Sequence, residues 1–249
     1  MRLQTIRGWK KASDEVAELL LDEAGFHSAP VDAFTLARRL GYETILDASQ
    51  LVRTRFKLLR GRPTIFVRPD RVAERQHWAV AREIAERNVD RVADRLRVPG
   101  KLPGFMKQQI TNEMASRILL PKSWFLPAVE ELDGDVMALK RRFATASHEL
   151  VLLALLRTPG RSIVTLFDEQ QTTRRFSNRG SAAPMTDLEH SVWQQVHRIG
   201  MPCDVEQDGL RVQCWPLHVN GHRREFMRVS WPLDTDPLAH QVQPELAFA

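Results

Sequence analysis

The sequence predicts an α+β fold, in which a mostly helical N-terminal part with a small sheet precedes a helical segment shaped like a helix-turn-helix and a small α+β domain. Three observations predict it. Apolar residues recur at helical spacing through most of the first 155 residues. A β-branched and aromatic run, Thr64, Ile65, Phe66 and Val67, interrupts them. After "RTPGR" the texture changes to short strands around one capped helix. A chain of 249 residues can bury a full core, and its length favours two domains. With 43% hydrophobic and 27% charged residues it has a globular composition, which excludes a disordered tail or a fibrous protein.

The elements follow in order. In "KASDEVAELLLDEAGF" the residues Val16, Leu19, Leu20 and Ala24 form a helical stripe, with Ser13 as the expected N-cap and Asp14 and Glu15 in the first turn. "PVDAFTLARRLG" is a second helix, opened by Pro30 and Val31 and stopped by Gly41. "YETILDAS" and "RPTIFVRP" are strands, and "TRFKLLRG" between them is a third strand or a hairpin limb. From Arg71 to Arg97 the stripe Val72, Trp78, Ala81, Ile84, Ala85, Val89 and Val92 predicts one long helix, ended by Pro99 and Gly100. Met106, Ile110, Met114 and Ile118 predict another, which stops before Pro121. "PAVEELDGDVMALKRRF" is a helix interrupted or bent near Gly134. Beyond residue 157, "SIVTLF", "TRRFS", "LRVQCWPL" and "REFMRVSWPL" are strands, and "MTDLEHSVWQQVHRIG" is a helix capped by Thr186 with Glu189 at N3. The resulting division is 1–127, 128–156, 157–237 and a flexible tail at 238–249.

Two cysteines, Cys203 and Cys214, are too few for a disulfide framework and have no metal-ligand spacing. The start lacks a secretory h-region, and "ELVLLALL" is far short of the roughly 20 apolar residues of a membrane span, so a cytoplasmic location without a membrane partner is expected. The net charge of +5 is uneven: residues 1–155 carry 26 Lys+Arg against 20 Asp+Glu, and residues 156–249 carry 10 against 11. Contact with phosphate backbone therefore belongs to the first part.

Two segments of that part carry a family resemblance. "IFVRPDRVAERQHWAVAREIAERN" resembles the strand of the ImmA/IrrE metallopeptidase family followed by its aromatic-x-x-A-H-E-x-G-H helix. "TNEMASRILLP" is similar to the A-N-x-F-A-A-x-L-L-M-P segment that follows in that family, with Asn112, Ala115, Leu119 and Pro121 in step. The resemblance covers residues 12–125. It implies a zincin-like N-terminal domain and, in some members, a helix-turn-helix-like segment and a GAF-like sensor domain after it.

An HExxH helix places two imidazoles, at i and i+4, on one Zn²⁺, with the intervening glutamate as general base. Here the corresponding residues are Arg82, Glu83 and Glu86, and the family's third ligand falls on Gln108, four residues before Asn112. Arginine cannot ligate a cation, so neither a metal nor another cofactor is expected and hydrolysis by the usual route is not. Two readings of this face stay open: a solvated Arg/Glu surface, or a vestigial zinc site in which the Arg82 guanidinium replaces the cation and pairs with one or both glutamates. A second HE pair, His148 and Glu149 in "FATASHELVLL", is not the motif, because Leu152 stands at i+4 and the segment comes too late in the chain.

"LKRRFATASHELVLLALL" has the shape of a helix-turn-helix, and Lys140, Arg141 and Arg142 are its candidates for DNA phosphates. In the C-terminal domain His190, Trp193 and His197 share a helical face, where packing is the simplest account, and Cys214 and Trp215 alternate across a strand. Gln243, Leu246 and Phe248 form a Q-x-x-L-x-F pattern similar to peptides that dock into the bacterial sliding clamp. The expected function is a catalytically inactive regulatory protein that binds a repressor, another regulatory protein or DNA in transcriptional or stress control. An active metallopeptidase with atypical ligands and a DNA-binding transcriptional regulator are the alternatives.

Overall fold

The computed structural model describes residues 8–98, 100–218 and 222–231. It has the mixed architecture expected: N-terminal helices with a small sheet, a helical middle and a C-terminal α+β domain. The chain divides into two compact units, Met1–Asp133 with Ala138–Ser147, and Gly134–Met137 with His148–Ala249.

The first unit opens with α1 (Trp9–Glu23) and α2 (Ala33–Arg39). Helix α1 starts about one and a half turns earlier than Ser13 predicts, with Gly8 at the N-cap position. Ser13 lies inside it and donates its hydroxyl to the carbonyl of Trp9 at 2.8 Å, so the side chain bonds back along the helix instead of capping it. The cap of α2 is Asp32, which accepts from the Thr35 amide at 2.6 Å, a role that neither Pro30 nor Val31 has the side chain to fill.

Strands β1 (Glu43–Leu46), β2 (Thr54–Leu59) and β3 (Arg62–Val67) form a sheet of order β1-β3-β2. The segment left open in the sequence is thus a hairpin limb: β2 runs antiparallel to β3, with Arg60 and Gly61 both at positive φ in the two-residue turn, and β1 runs parallel to β3. The long stripe from Arg71 resolves into α3 (Ala73–Arg87) and α4 (Val89–Arg95). They part at Asn88, whose side-chain amide donates to the Ile84 carbonyl at 2.8 Å, while Val89 and Val92 keep the apolar register. Helix α5 (Gly104–Leu119) buries Met106, Ile110, Met114 and Ile118 and packs on α1 and α3, and α3 also lies on β2 and β3. Helices α6 (Lys122–Glu131) and α7 (Val136–Arg142) follow, so that of the interruption or bend expected near Gly134 it is the interruption that forms.

The second unit contains α8 (His148–Ala154), β4 (Ser162–Asp168), β5 (Gln171–Ser177), α9 (Asp187–Ile199), β6 (Cys203–Gln207), β7 (Leu210–Pro216) and β8 (Arg224–Ser230). Its five strands are antiparallel in the order β5-β4-β8-β7-β6. Val192 and Val196 of α9 pack on Ile163, Phe167, Val212, Cys214, Met227 and Val229, which covers one face. On β8 the intervening residue Phe226 points the other way, and the His148 ring of α8 stacks on it. Thr186 and Glu189 make the expected capping box, with the Glu189 amide donating to the threonine hydroxyl and the Thr186 amide to the glutamate. Strand β6 was not expected; it is a half-exposed edge whose only signal was the alternation of Cys203 and Val205 with Asp204 and Glu206.

Among the described residues no helix is long and apolar enough to cross a membrane. Gln243, Leu246 and Phe248 lie outside the described residues.

Candidate functional site

Helical spacing puts Arg82 beside Glu86, and Glu83 beside Arg87, on the side of α3 that faces α5 and the hairpin. Asn112 and Lys107 reach the same place from α5. The Arg82 Nε donates to the Asn112 side-chain oxygen at 3.2 Å, and its NH1 stands 3.5 Å from Glu86 Oε2. Glu86 Oε1 is 3.5 Å from Lys107 Nζ and 3.6 Å from Arg87 NH2, so three cations surround one carboxylate. Glu83 is paired with Arg87, whose Nε lies 3.5 Å from Oε1, and not with Arg82. The Arg87 guanidinium also sits over the Phe56 ring, 4.7 Å from its centroid. Gln108 is exposed, one helical turn before Asn112.

Glu83 is 5% exposed. Burial raises its pKa above the usual carboxylate value; the nearby Glu86 charge adds to this, while Arg87, a hydrogen bond from Thr54 and Arg82 oppose it. Guanidinium groups thus stand at both glutamates, Arg82 and Arg87 at Glu86 and Arg87 at Glu83, with Lys107 as a further cation at Glu86. Arg87 and Lys107 were missed; Arg87 was visible as the i+4 partner of Glu83, whereas Lys107 carried no signal of its own. Both carboxylates are held by cations, so the site carries a positive surplus and offers no free pair of donors to a metal. Among the described residues the group with convergent metal-donor atoms is elsewhere, at His197, His218 and Glu225 of the second unit.

The basic triplet is unequally available. Lys140 pairs with Glu74 at 3.0 Å and donates to the Ala144 carbonyl at 2.6 Å, with its side chain 13% exposed. Arg142 pairs with Glu131. Arg141 is exposed and makes no salt bridge to a described residue. In α8, Val151 and Leu152 are buried, Glu149 pairs with Arg174 at 2.6 Å, and His148 takes the stacking position on Phe226. Of the three residues grouped on α9, His190 is exposed, and Trp193 and His197 turn to Glu225. Cys214 and Trp215 do face opposite ways, and burial pushes the Cys214 thiol pKa upward.

No family model matches the sequence, and no curated protein matches it. Among solved structures the chain is similar to a Mycobacterium tuberculosis transcriptional regulator, with a TM-score of 0.63 and 19% identity over 90% of this chain and 76% of that one. At that identity the likeness is one of fold.

Proposed function

We propose that this chain is a transcriptional regulator that acts by binding DNA, built on an ImmA/IrrE-like scaffold whose metal position has become an ion-pair network. The observation that carries the reading is the likeness of fold to a protein described as a transcriptional regulator, which extends over 90% of the chain. The positive surplus of residues 1–155 and the exposed Arg141 support it. The arginine at position 82 argues against hydrolysis through the family's route, since a guanidinium there repels the ion that would activate water.

The test is binding of the full chain to a labelled random-sequence duplex, titrated with salt. Affinity should fall linearly with salt on logarithmic axes. The variant Arg141→Ala should shrink the slope by about 1, whereas Lys140→Ala, whose ammonium is already paired with Glu74, should leave it unchanged. Absence of binding at low salt sinks the DNA reading.

A second reading has its own support in Glu86, whose carboxylate is held by Arg82, Arg87 and Lys107 and whose position the sequence resemblance aligns with a zinc ligand of the family. Such a site would grip an acidic segment of a repressor through its guanidinium groups without cutting it. Co-purification with a cognate repressor, lost in Arg82→Ala, would favour it over direct DNA binding.

A further inference from the structure

We propose that the second unit holds a divalent transition-metal ion of the zinc type, ligated by His197, His218 and Glu225. No motif in the sequence points to a metal here, because the three ligands lie on α9, after β7 and on β8 without a recognisable spacing. The fold brings one donor atom from each to within 4.8 Å of the others.

The geometry is specific. His197 Nδ1 is 2.8 Å, and His218 Nε2 2.6 Å, from the same carboxylate oxygen, Glu225 Oε1. The other oxygen, Oε2, accepts from the Trp193 indole at 3.2 Å, and that indole is fixed by stacking on Phe167. One carboxylate thus has an oxygen clamped by a side chain of the surrounding shell and an oxygen facing two imidazole nitrogens. Two histidines, a carboxylate and an open fourth position form a recurrent zinc arrangement. A ligating carboxylate held by an outer hydrogen bond is its usual support.

Distances allow the exchange of shared protons for an ion. Tetrahedral zinc, at about 2.0–2.2 Å from each donor, spaces its ligands about 3.3–3.6 Å apart. Each of the two nitrogen–oxygen separations would open by about 0.5–1 Å, a small side-chain rotation for His218, whose side chain is 25% exposed. Gly200, at the end of α9, borders the His218 ring: a Cβ on it would stand 3.7 Å from His218 Nδ1.

Burial argues the same way. Glu225 is fully buried, and two imidazoles and an indole are the polar side chains that meet its carboxyl group. Among the described residues the buried Nε2 of His197 has no hydrogen-bond partner, so packing alone does not account for this imidazole. A dication on the imidazole nitrogens and Oε1 would neutralise the carboxylate where it stands. Imidazole donors select zinc, copper, nickel or iron over magnesium and calcium.

The experiment is titration of the full chain, stripped with chelator and dialysed, with Co²⁺ and then Zn²⁺. The readouts are the visible d–d absorption of bound cobalt and calorimetric stoichiometry. The expected result is about one equivalent, with tetrahedral cobalt bands that zinc displaces. His218→Ala, at a partly exposed position outside the core, should abolish the bands while the fold is retained. Trp193→Phe, which keeps the stacking and loses the indole N–H, should weaken binding by about 10- to 100-fold. His190→Ala should change nothing. No cobalt bands in the wild-type chain, bands that survive His218→Ala, or bands lost instead in Glu86→Gln would overturn the assignment.

Discussion

Glu83 shows what a buried acid costs when a guanidinium is its nearest partner. It is 5% exposed and its charge is met chiefly by Arg87 at 3.5 Å, so the two residues stand or fall together. Arg87→Ala should destabilise the chain by about 1–3 kcal/mol, because it leaves a buried carboxylate without its nearest cation. Adding Glu83→Gln should recover most of that loss; a double variant as unstable as Arg87→Ala would show that Arg87 acts through its packing on Phe56 instead. The pH dependence has a definite sign. Since burial raises the folded-state pKa of Glu83, its contribution to stability is fully present below the unfolded-state value and is lost as pH rises through the raised folded one. Chemical denaturation across that window should therefore show a decline in unfolding free energy that is shallower in Glu83→Gln.

At the scale of elements, caps and breaks decide which sequence signals were readable. The capping box of α9 joins Thr186 and Glu189, three residues apart, and Glu189 Oε1 also pairs with Arg175 of β5 at 2.8 Å. Thr186→Ala should cost about 0.5–2 kcal/mol in thermal or denaturant unfolding, and a change below a few tenths would mean that Arg175 alone holds the helix start. That cap could be read because both partners are local. So could the apolar register of α5 and the strands β3, β4, β7 and β8, each with its own periodicity or β-branched run. What misled was local chemistry with two outcomes: Ser13 suits either a cap or a back-bond within a helix, and Asn88 ends one helix while the stripe runs on into the next. Gly134, at φ +70 with the Arg228 guanidinium standing where a Cβ would go, shows as a break in the sequence, but the close approach that requires it is long-range. The candidate site divides likewise. Arg82, Glu83, Glu86 and Asn112 were legible by position, whereas Lys107 joins through the packing of α5 on α3, and Glu225 joins His197 and His218 through sheet topology alone.

For the molecule as a whole, a fold that aligns over 90% of the chain at 19% identity separates scaffold from chemistry, since backbone geometry persists where side chains have changed. If α3 and α5 still hold the spacing of an ImmA/IrrE-like metal site, the site should be recoverable from three side chains. Position 82 would need to exchange its guanidinium for an imidazole, position 86 its carboxylate for a second imidazole, and position 108, one turn before the Arg82 partner Asn112, its amide for a carboxylate. We expect Arg82→His combined with Glu86→His and Gln108→Glu to bind about one equivalent of zinc when measured in a His218→Ala background, which removes the contribution proposed for the second unit. Arg87 and Lys107 would remain beside the restored ligands and lower the affinity by like-charge repulsion, so Lys107→Gln should strengthen binding further. A folded variant that takes up no zinc would mean that α3 and α5 do not have the metallopeptidase spacing, and the resemblance at positions 82, 86 and 108 would then be one of sequence pattern without shared geometry.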